Sequence, residues 1–127
     1  MLKTQAIFAT LPSSIQYISA GKLKPLAVTS STRLQALPNI PAMADSLPGY
    51  DVTSWFGIGG PRGTSREIVG TLNKEINEAL AEPGMTTRFA ELGGIALPGS
   101  PGDFGKLIAD ETGKWARVIR AANIKPE

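Results

Sequence analysis

A cluster of hydroxyl side chains lies where a predicted strand leads into a predicted helix. Thr10, Ser13 and Ser14 surround Pro12, which the first turn of a helix tolerates because its missing N–H would have no partner there. Free N–H groups and hydroxyls at a helix N-terminus can hydrogen-bond a carboxylate, and the helix dipole favours the negative charge. The alternative is ordinary helix capping, for which Ser and Thr are preferred. On the residues alone, capping is the favoured interpretation of this hydroxyl turn (residues 9–14).

A glycine-rich turn (residues 57–65) is the other place where an anion could bind. A phosphate-binding loop needs backbone N–H groups that converge at the start of the following helix. The spacing does not fit, because a dinucleotide fingerprint needs a third glycine where Arg62 stands, and the Gly-Lys-Ser/Thr of a P-loop is missing. A plain strand-to-helix turn is the favoured interpretation. An anion held by Arg62, Thr64 and Ser65 is the alternative.

Catalytic and metal chemistry lack their usual side chains in this sequence. It contains no Cys and no His, so thiolate ligands, disulfides and the commonest general base are missing. No carboxylate pair stands in an apolar setting. Lys106 and Asp110 are four residues apart, and Glu111 and Lys114 are three apart, which is the spacing of solvated ion pairs on a helix. We therefore predict no catalytic residues, no metal site, no cofactor and no enzymatic activity.

Length, charge and hydropathy exclude further classes of protein. The 127 residues amount to one domain, and a hydrophobic content of 42% suits a globular protein. A net charge of +2 without a Lys/Arg cluster argues against nucleic-acid binding. No apolar run approaches the roughly 20 residues that span a bilayer. Residues 1–4 lead directly into a strand pattern without an apolar signal core, so we expect no signal peptide in this chain.

Short apolar segments alternate with amphipathic ones along the chain, which indicates an α/β fold. One helix joins the first two predicted strands, so a parallel crossover is expected. Thr64 and Glu67 have the spacing of a capping box, and Trp55 and Trp115 are predicted to anchor the core. The predicted strands cover residues 4–10, 26–29, 51–58 and 95–97, and helices are predicted to begin near residues 11, 64, 86 and 100.

Several short motifs follow one another in a fixed order and cover nearly the whole chain. They are Gly-Lys-Leu-x-x-Leu-Ala-Val-Thr from Gly21, then Arg33, Leu37-Pro38-x-x-Pro41, Gly49-Tyr50, Trp55-x-Gly57, Pro61-x-Gly63-Thr64 and Trp115. In this order the chain resembles the carboxyl-terminal half of the Bug proteins, which are the extracytoplasmic solute receptors of tripartite tricarboxylate transporters.

The resemblance implies an α/β fold of the periplasmic-binding-protein type II kind, present here in part, with short strands and packed helices. Members have two lobes. Residues 1–50 would belong mainly to the second lobe, and residues 51–127 would return to the first and supply its closing helices. In Bug receptors the turn after the strand at the start of this chain lines the cleft and contacts a carboxylated ligand. The ligand-binding residues expected from this likeness are Ala9, which could offer only its backbone, Thr10, Ser13 and Ser14.

The function implied by the resemblance is solute binding by a receptor fragment for a small carboxylate that a tripartite tricarboxylate transporter takes up. The expected partners are that ligand and, in full-length members, the membrane transporter subunits, and the expected location is the periplasm. Because members are longer, apolar faces should be left uncovered here, and a homo-oligomer is expected. The alternative is a truncated relic, or an oligomerising structural module, without a role in transport.

Overall fold

Helices dominate the computed structural model, which describes residues 6–125. In chain order they are α1 (Leu11–Ser19), α2 (Arg66–Ala81), α3 (Pro83–Glu91) and α4 (Pro101–Ala121), with a 3-10 turn at Met43–Asp45. Each α-helix begins close to its predicted start. Within this part of the chain, no helix is both long enough and apolar enough to cross a membrane.

The chain divides into two compact units, each built from two separate stretches of sequence. The first unit holds the residues up to Phe56 together with Ala81–Ala96, and therefore contains α1 and α3. The second unit holds Gly57–Leu80 and the residues from Leu97 onward, and therefore contains α4 and nearly all of α2. The lobe boundary expected at residue 50 stays a prediction, because this division does not identify either unit with a lobe of a receptor.

The predicted strands are not formed in the part of the chain that the structure describes. Of the first, residues 4 and 5 lie outside that part, and residues 6–10 contain no strand. Residues 26–29 form only an isolated bridge, and residues 51–58 and 95–97 contain no strand either. A strand requires a neighbour about 4.8 Å away with matching N–H and C=O groups. Between these four segments the structure gives one such backbone hydrogen bond, from the N–H of Val52 to the carbonyl of Thr29 at 2.9 Å, and no strand forms around it.

An isolated parallel bridge between Val28 and Ala42 lies within the first unit. The N–H of Val28 donates to the carbonyl of Pro41 at 2.9 Å, and the N–H of Met43 donates to the carbonyl of Val28 at 2.9 Å. Among the described residues, the buried hydrophobic side chains are Val28, 9% exposed, and Ala42, 2% exposed. The bridge therefore joins the second predicted strand to the proline-containing loop that follows it, and this contact buries the core of the unit.

In the first unit, α1 packs against the turn that follows α3. Gly93 has a φ of 72°, a conformation that favours glycine, and a Cβ placed on it would overlap the side chain of Leu11. Only glycine therefore allows the first residue of α1 to lie this close. Beyond the other end of α1, Gly21 has a φ of 67° and stops the helix as the sequence predicts.

The hydroxyl that caps α2 belongs to Ser65. The N–H of Ile68 donates to Ser65 Oγ at 3.3 Å, whereas Thr64 Oγ1 donates to the carbonyl of Pro61 at 2.8 Å. The predicted capping box of Thr64 and Glu67 is therefore wrong. Its hydroxyl is displaced by one residue, because a turn that also joins the N–H of Thr64 to the Pro61 carbonyl places Thr64 before the helix.

A capping box does form at the start of α4. The N–H of Ser100 donates to Asp103 Oδ2 at 2.8 Å, and the N–H of Asp103 donates to Ser100 Oγ at 3.1 Å. Each side chain thus satisfies a backbone N–H of the other residue. The predicted start of the last helix at residue 100 is confirmed.

Two asparagines of α2 hold the residue that precedes this cap. The amide groups of Asn73 and Asn77 donate to the carbonyl of Gly99 at 2.8 and 3.0 Å. In return, the N–H of Gly99 donates to Asn77 Oδ1 at 3.1 Å. Both backbone groups of Gly99 are therefore satisfied by side chains, as they would be by a neighbouring strand. This asparagine clamp (Asn73, Asn77 and Gly99) joins α2 to the start of α4 inside the second unit.

The two tryptophans differ from one another in burial. Trp55 is half-buried, but Trp115 on α4 is 37% exposed, so the prediction that Trp115 anchors the core is wrong. The reason is that the apolar face of α4 is uncovered, since Ile108, Val118 and Ile119 are also exposed. A regular apolar pattern identifies the face that a helix would bury, but does not provide what buries it.

Candidate functional site

The hydroxyl turn gathers three of its predicted ligand-binding side chains around one carbonyl oxygen. The carbonyl of Thr10 accepts hydrogen bonds from the N–H of Ser13 at 3.1 Å, from Ser13 Oγ at 2.8 Å and from Ser14 Oγ at 3.0 Å. Thr10 Oγ1 lies 3.0 Å from Ser13 Oγ. Thr10 is the N-cap residue of α1 but makes no side-chain cap hydrogen bond, so the capping favoured from the sequence is not formed by its hydroxyl. The use of Thr10, Ser13 and Ser14 as a binding site stays a prediction.

These hydroxyls have different capacities for binding a ligand. Thr10 and Ser13 are exposed, whereas Ser14 is buried and its Oγ lies within hydrogen-bonding distance of the carbonyls of both Thr10 and Leu11. Because a hydroxyl has one proton to donate, Ser14 already uses its proton inside the helix. Ala9 is exposed, and its methyl group brings no polar atom. Thr10 and Ser13 are therefore the side chains of this turn that can reach a ligand.

A carboxylate that binds at this turn would have to replace a hydrogen bond that already exists within the turn. Ser13 gives its proton to the carbonyl of Thr10, so the contact between the two hydroxyls uses the proton of Thr10. Both protons thus have acceptors within the turn. A carboxylate oxygen is a stronger acceptor than a hydroxyl or an amide carbonyl, so it can take either proton. The turn is suited chemically to a charged acceptor rather than a neutral one.

The glycine-rich turn places its three predicted anion-binding residues at the start of α2. Thr64 Oγ1 donates to the Pro61 carbonyl, whereas Ser65 Oγ acts as an acceptor for the N–H of Ile68 and keeps its own proton. Arg62 is exposed. A shallow depression of about 360 Å³ begins at Ser65 and is otherwise lined by side chains of α2, which are Glu67, Ile68, Thr71 and Leu72.

The carboxylate of Glu67 weakens the case for an anion in this depression. It lines the same surface as Ser65, and like charges at a few ångströms repel. The other lining side chains contribute one hydroxyl and two aliphatic groups. Of the two turns, the hydroxyl turn is therefore the better candidate for a carboxylate.

Two side chains of α4 have shifted pKa values. Hydrogen bonds from the hydroxyl and the N–H of Ser100 lower the pKa of Asp103 from its ordinary value of 3.8. The hydrogen bond to Asp110 raises the pKa of Lys106. Both shifts have the sign expected of paired surface groups that cap or line a helix. Among the described residues, no cluster of acidic side chains has the arrangement that a metal ion requires.

Two polar arrangements in the second unit lie outside the predicted sites. One is the asparagine clamp, whose only signal in the sequence is the i, i+4 spacing of Asn73 and Asn77 on an otherwise amphipathic helix. The other is Glu111, which accepts hydrogen bonds from Trp115 Nε1 at 2.8 Å and Lys114 Nζ at 3.2 Å. Glu111 and Lys114 are half-buried, so the expectation that this pair is freely solvated is wrong. The indole contact accounts for its burial.

Comparison with known proteins places these features in a family. Residues 2–124 match the family described as tripartite tricarboxylate transporter family receptor, TctC. The curated protein BugT of Bordetella pertussis is 34% identical over 116 residues, which are 91% of this chain and 36% of BugT. A UPF0065 protein from the tcbD-tcbE intergenic region of Pseudomonas sp. strain P51 is 37% identical over 112 residues, 87% of this chain and 33% of that protein. The chain thus spans about a third of the length of these relatives.

Two solved structures share the fold. Rpa4515 of R. palustris, solved with adipate, superposes with a TM-score of 0.85 at 37% identity, over 92% of this chain and 40% of that one. The periplasmic binding protein BugD superposes with a TM-score of 0.82 at 31% identity, over 90% of this chain and 39% of that one. These matches confirm the predicted fold class, a partial periplasmic-binding-protein fold with packed helices.

Proposed function

Because the chain belongs to the receptor family of the tripartite tricarboxylate transporters, we propose that it binds a small carboxylate for uptake by such a transporter. Its relatives are solute-binding receptors, and the chain is not an enzyme. The observation that carries the proposal is the family match over residues 2–124, which includes the whole hydroxyl turn. The structure of Rpa4515 with adipate, an aliphatic dicarboxylate, supports the same class of ligand.

The binding residues proposed are Thr10 and Ser13, with the backbone of Ala9 beside them. The exposed hydroxyls and the N-terminus of α1 offer hydrogen bonds and a favourable dipole to one carboxylate group. Ser14 stabilises the turn and does not contact the ligand, because its hydroxyl proton is donated to a backbone carbonyl of the turn. The glycine-rich turn, with Arg62, Thr64 and Ser65, is the second candidate site for the anion.

The affinity of this chain alone should be low. It spans 36% of BugT, so it would supply only a part of a cleft that a longer receptor completes. A dissociation constant in the millimolar range, about −4 kcal/mol, is expected for one carboxylate site open to water. We place the binding function in the periplasm, with transporter membrane subunits as partners of the complete receptor, by likeness to the family.

A second candidate function is a structural module that associates with copies of itself and transports nothing. The observation that favours it is the number of large apolar side chains left at the surface, among them Phe8, Phe56 and Ile58. Exposed apolar surface on this scale is typical of an association site. The two functions differ in whether the hydroxyl turn responds to a carboxylate.

Titration of the labelled chain with adipate, followed by amide chemical shifts, distinguishes the candidate functions. The expected result is a set of saturable shifts in residues 9–14 that Ser13→Ala and Thr10→Val each weaken at least threefold. Thr87→Val is the matched control, since the Thr87 hydroxyl donates to a carbonyl within α3 at 2.8 Å, as Ser13 does within its own turn. It should leave the affinity unchanged. Shifts confined to residues 62–66 would assign the site to the glycine-rich turn, and no shifts at all would favour the structural module.

A further inference from the structure

Leu11 is a residue through which the hydroxyl turn contacts another part of the first unit. It is half-buried, whereas Thr10, Pro12 and Ser13 around it are exposed. The planar peptide bond joins its N–H to the carbonyl of Thr10. That carbonyl accepts hydrogen bonds from the Ser13 N–H, from Ser13 Oγ and from Ser14 Oγ, at 3.1, 2.8 and 3.0 Å. A shift of the Leu11 backbone would therefore move the acceptor that holds Ser13 in place.

Leu11 packs against Gly93, in the turn that follows α3. The three heavy atoms nearest to a Cβ placed on Gly93 all belong to the Leu11 side chain, with Cδ2 the closest, Cγ at 2.6 Å and Cβ at 3.3 Å. Carbon atoms that are not bonded attract one another best at about 3.5–4.0 Å, so the Cβ of any other residue would overlap both Cγ and Cδ2. The side chain of Leu11 therefore occupies the space that a side chain at Gly93 would need.

The turn at Gly93 is held by hydrogen bonds to the end of α3, so it resists displacement by an added Cβ. The N–H of Gly93 donates to the carbonyl of Ala90 at 2.9 Å, and the N–H of Gly94 donates to the carbonyl of Phe89 at 2.8 Å. With the φ of 72° at Gly93, this is the usual end of a helix. Rotation about the Cβ–Cγ bond of Leu11 moves Cδ2 but leaves Cγ in its place. Relieving the overlap therefore requires Cγ to move, which displaces Leu11 from its contact with Gly93.

We propose that Gly93 is a positioning residue of the candidate carboxylate site, because it fixes the place of Leu11 and, with it, the orientation of the hydroxyl turn. The hydrogen bonds between Thr10 and Ser13 stay inside the turn, so they set its internal shape and not its orientation in the unit. The contact of Leu11 with Gly93 joins the turn to the end of α3 and sets that orientation. The proposal rests on the proposed function in taking the hydroxyl turn as the site of the carboxylate.

Amide hydrogen exchange in the chain without ligand tests the positioning directly. The measured ratio is the exchange rate of the Ser13 N–H, which donates to the Thr10 carbonyl, divided by that of the Val28 N–H in the bridge of the same unit. Gly93→Ala should raise this ratio at least about fivefold, as expected when one hydrogen bond is weakened. Gly49→Ala is the matched control, because Gly49 also has a positive φ, 83°, and a Cβ on it meets no atom within 4 Å. It should leave the ratio unchanged.

A double-mutant cycle separates the contact from the backbone strain that alanine has at a positive φ. Leu11→Ala removes the Cγ and Cδ2 atoms that an added Cβ would overlap. It should raise the exchange ratio by itself, because the contact is lost, and Gly93→Ala should then add less than about twofold in that background. Leu47→Ala, at a leucine of the same unit that is 53% exposed, is the control and should not change the ratio.

Equal effects of Gly93→Ala in the two backgrounds of the cycle would overturn the proposal. An unchanged exchange ratio in Leu11→Ala would overturn it as well. If Gly93→Ala does not fold, the comparison of Leu11→Ala with Leu47→Ala decides, because neither of these variants adds an atom to the unit.

Titration with adipate connects the positioning to the site. Gly93→Ala and Leu11→Ala should each weaken the affinity at least about threefold, and the two control variants should bind as tightly as the unmodified chain. Unchanged affinity of Gly93→Ala, together with faster exchange of the Ser13 N–H, would overturn the proposal, because the contact would then act on the fold alone. If the unmodified chain does not bind adipate, the proposed function fails, and the exchange ratios still decide whether Gly93 positions the turn.

Discussion

Each hydroxyl at the start of α1 has one proton, and this limits the hydrogen bonds that the residue can donate to a ligand. Ser13 donates to the carbonyl of Thr10, and Thr10 donates to Ser13 Oγ. The hydrogen-bond donors of the turn thus already have acceptors without a ligand. Replacing these internal hydrogen bonds is favourable only if the new acceptor is stronger than a hydroxyl or an amide carbonyl. The same count of hydroxyl protons excludes Ser14 as a ligand-binding residue, because its proton is donated within α1 and its side chain is buried. The binding of a carboxylate by Thr10 and Ser13 stays a prediction, which the titration with adipate tests.

A second residue-scale expectation concerns the asparagine clamp. Asn77→Ala removes one donor to the Gly99 carbonyl and the acceptor for the Gly99 N–H. We expect a loss of about 1–2 kcal/mol in the free energy of unfolding, because a half-buried backbone group is left without its partner. Asn39→Ala, at an exposed loop position, is the control and should change stability by less than about 0.5 kcal/mol. Urea denaturation measures both, and equal stability of the two variants would contradict a structural role for the clamp.

At the scale of elements, the helices could be predicted because their signals are local. Ser100 and Asp103 form the cap of α4 through atoms three residues apart, and Gly21 stops α1 through its own φ. The capping residue of α2 was misplaced because Thr64 and Ser65 both carry hydroxyls, and only the turn from Pro61 decides between them. Local chemistry thus determines that a helix begins, and the preceding turn determines at which residue.

The strands could not be predicted from the same kind of signal. Residues 6–9 have the composition of a strand, but a ladder depends on a neighbour whose position the segment does not encode. Val28 finds a neighbour in Ala42, and the pair forms a bridge of a single residue. The hydroxyl turn was predictable as a cluster because its members are within four residues of one another. Its use as a binding site is not determined by that spacing, since capping requires the same residues.

The capping box of α4 should make this helix sensitive to acid. The pKa of Asp103 is lowered from 3.8 by the Ser100 hydroxyl and N–H, so the ionised carboxylate stabilises the folded state. That contribution is complete above the unfolded pKa, and it is lost as the pH falls through the lower folded pKa. Circular dichroism of the wild-type chain should show helix content falling in this window, below pH 3.8. Asp103→Asn should show a smaller fall there, and an identical acid profile for the two chains would contradict this assignment.

At the scale of the whole molecule, exposed apolar side chains should drive self-association of this chain. Phe8 and Phe56 in the first unit and Ile58 and Trp115 in the second are all exposed, and removing such side chains from water contributes about 25 cal/mol per Å². Sedimentation equilibrium at micromolar concentration should show species heavier than the 13.4 kDa monomer. A single monomeric species at these concentrations would contradict the prediction.

The exposed segment before α1 also bears on how the protein responds to proteases. Exposed segments with little regular structure are preferred sites of proteolytic cleavage, and residues 6–9 are exposed, with an accessible aromatic side chain at Phe8. Cleavage there would detach the segment from the hydroxyl turn while leaving α1 intact.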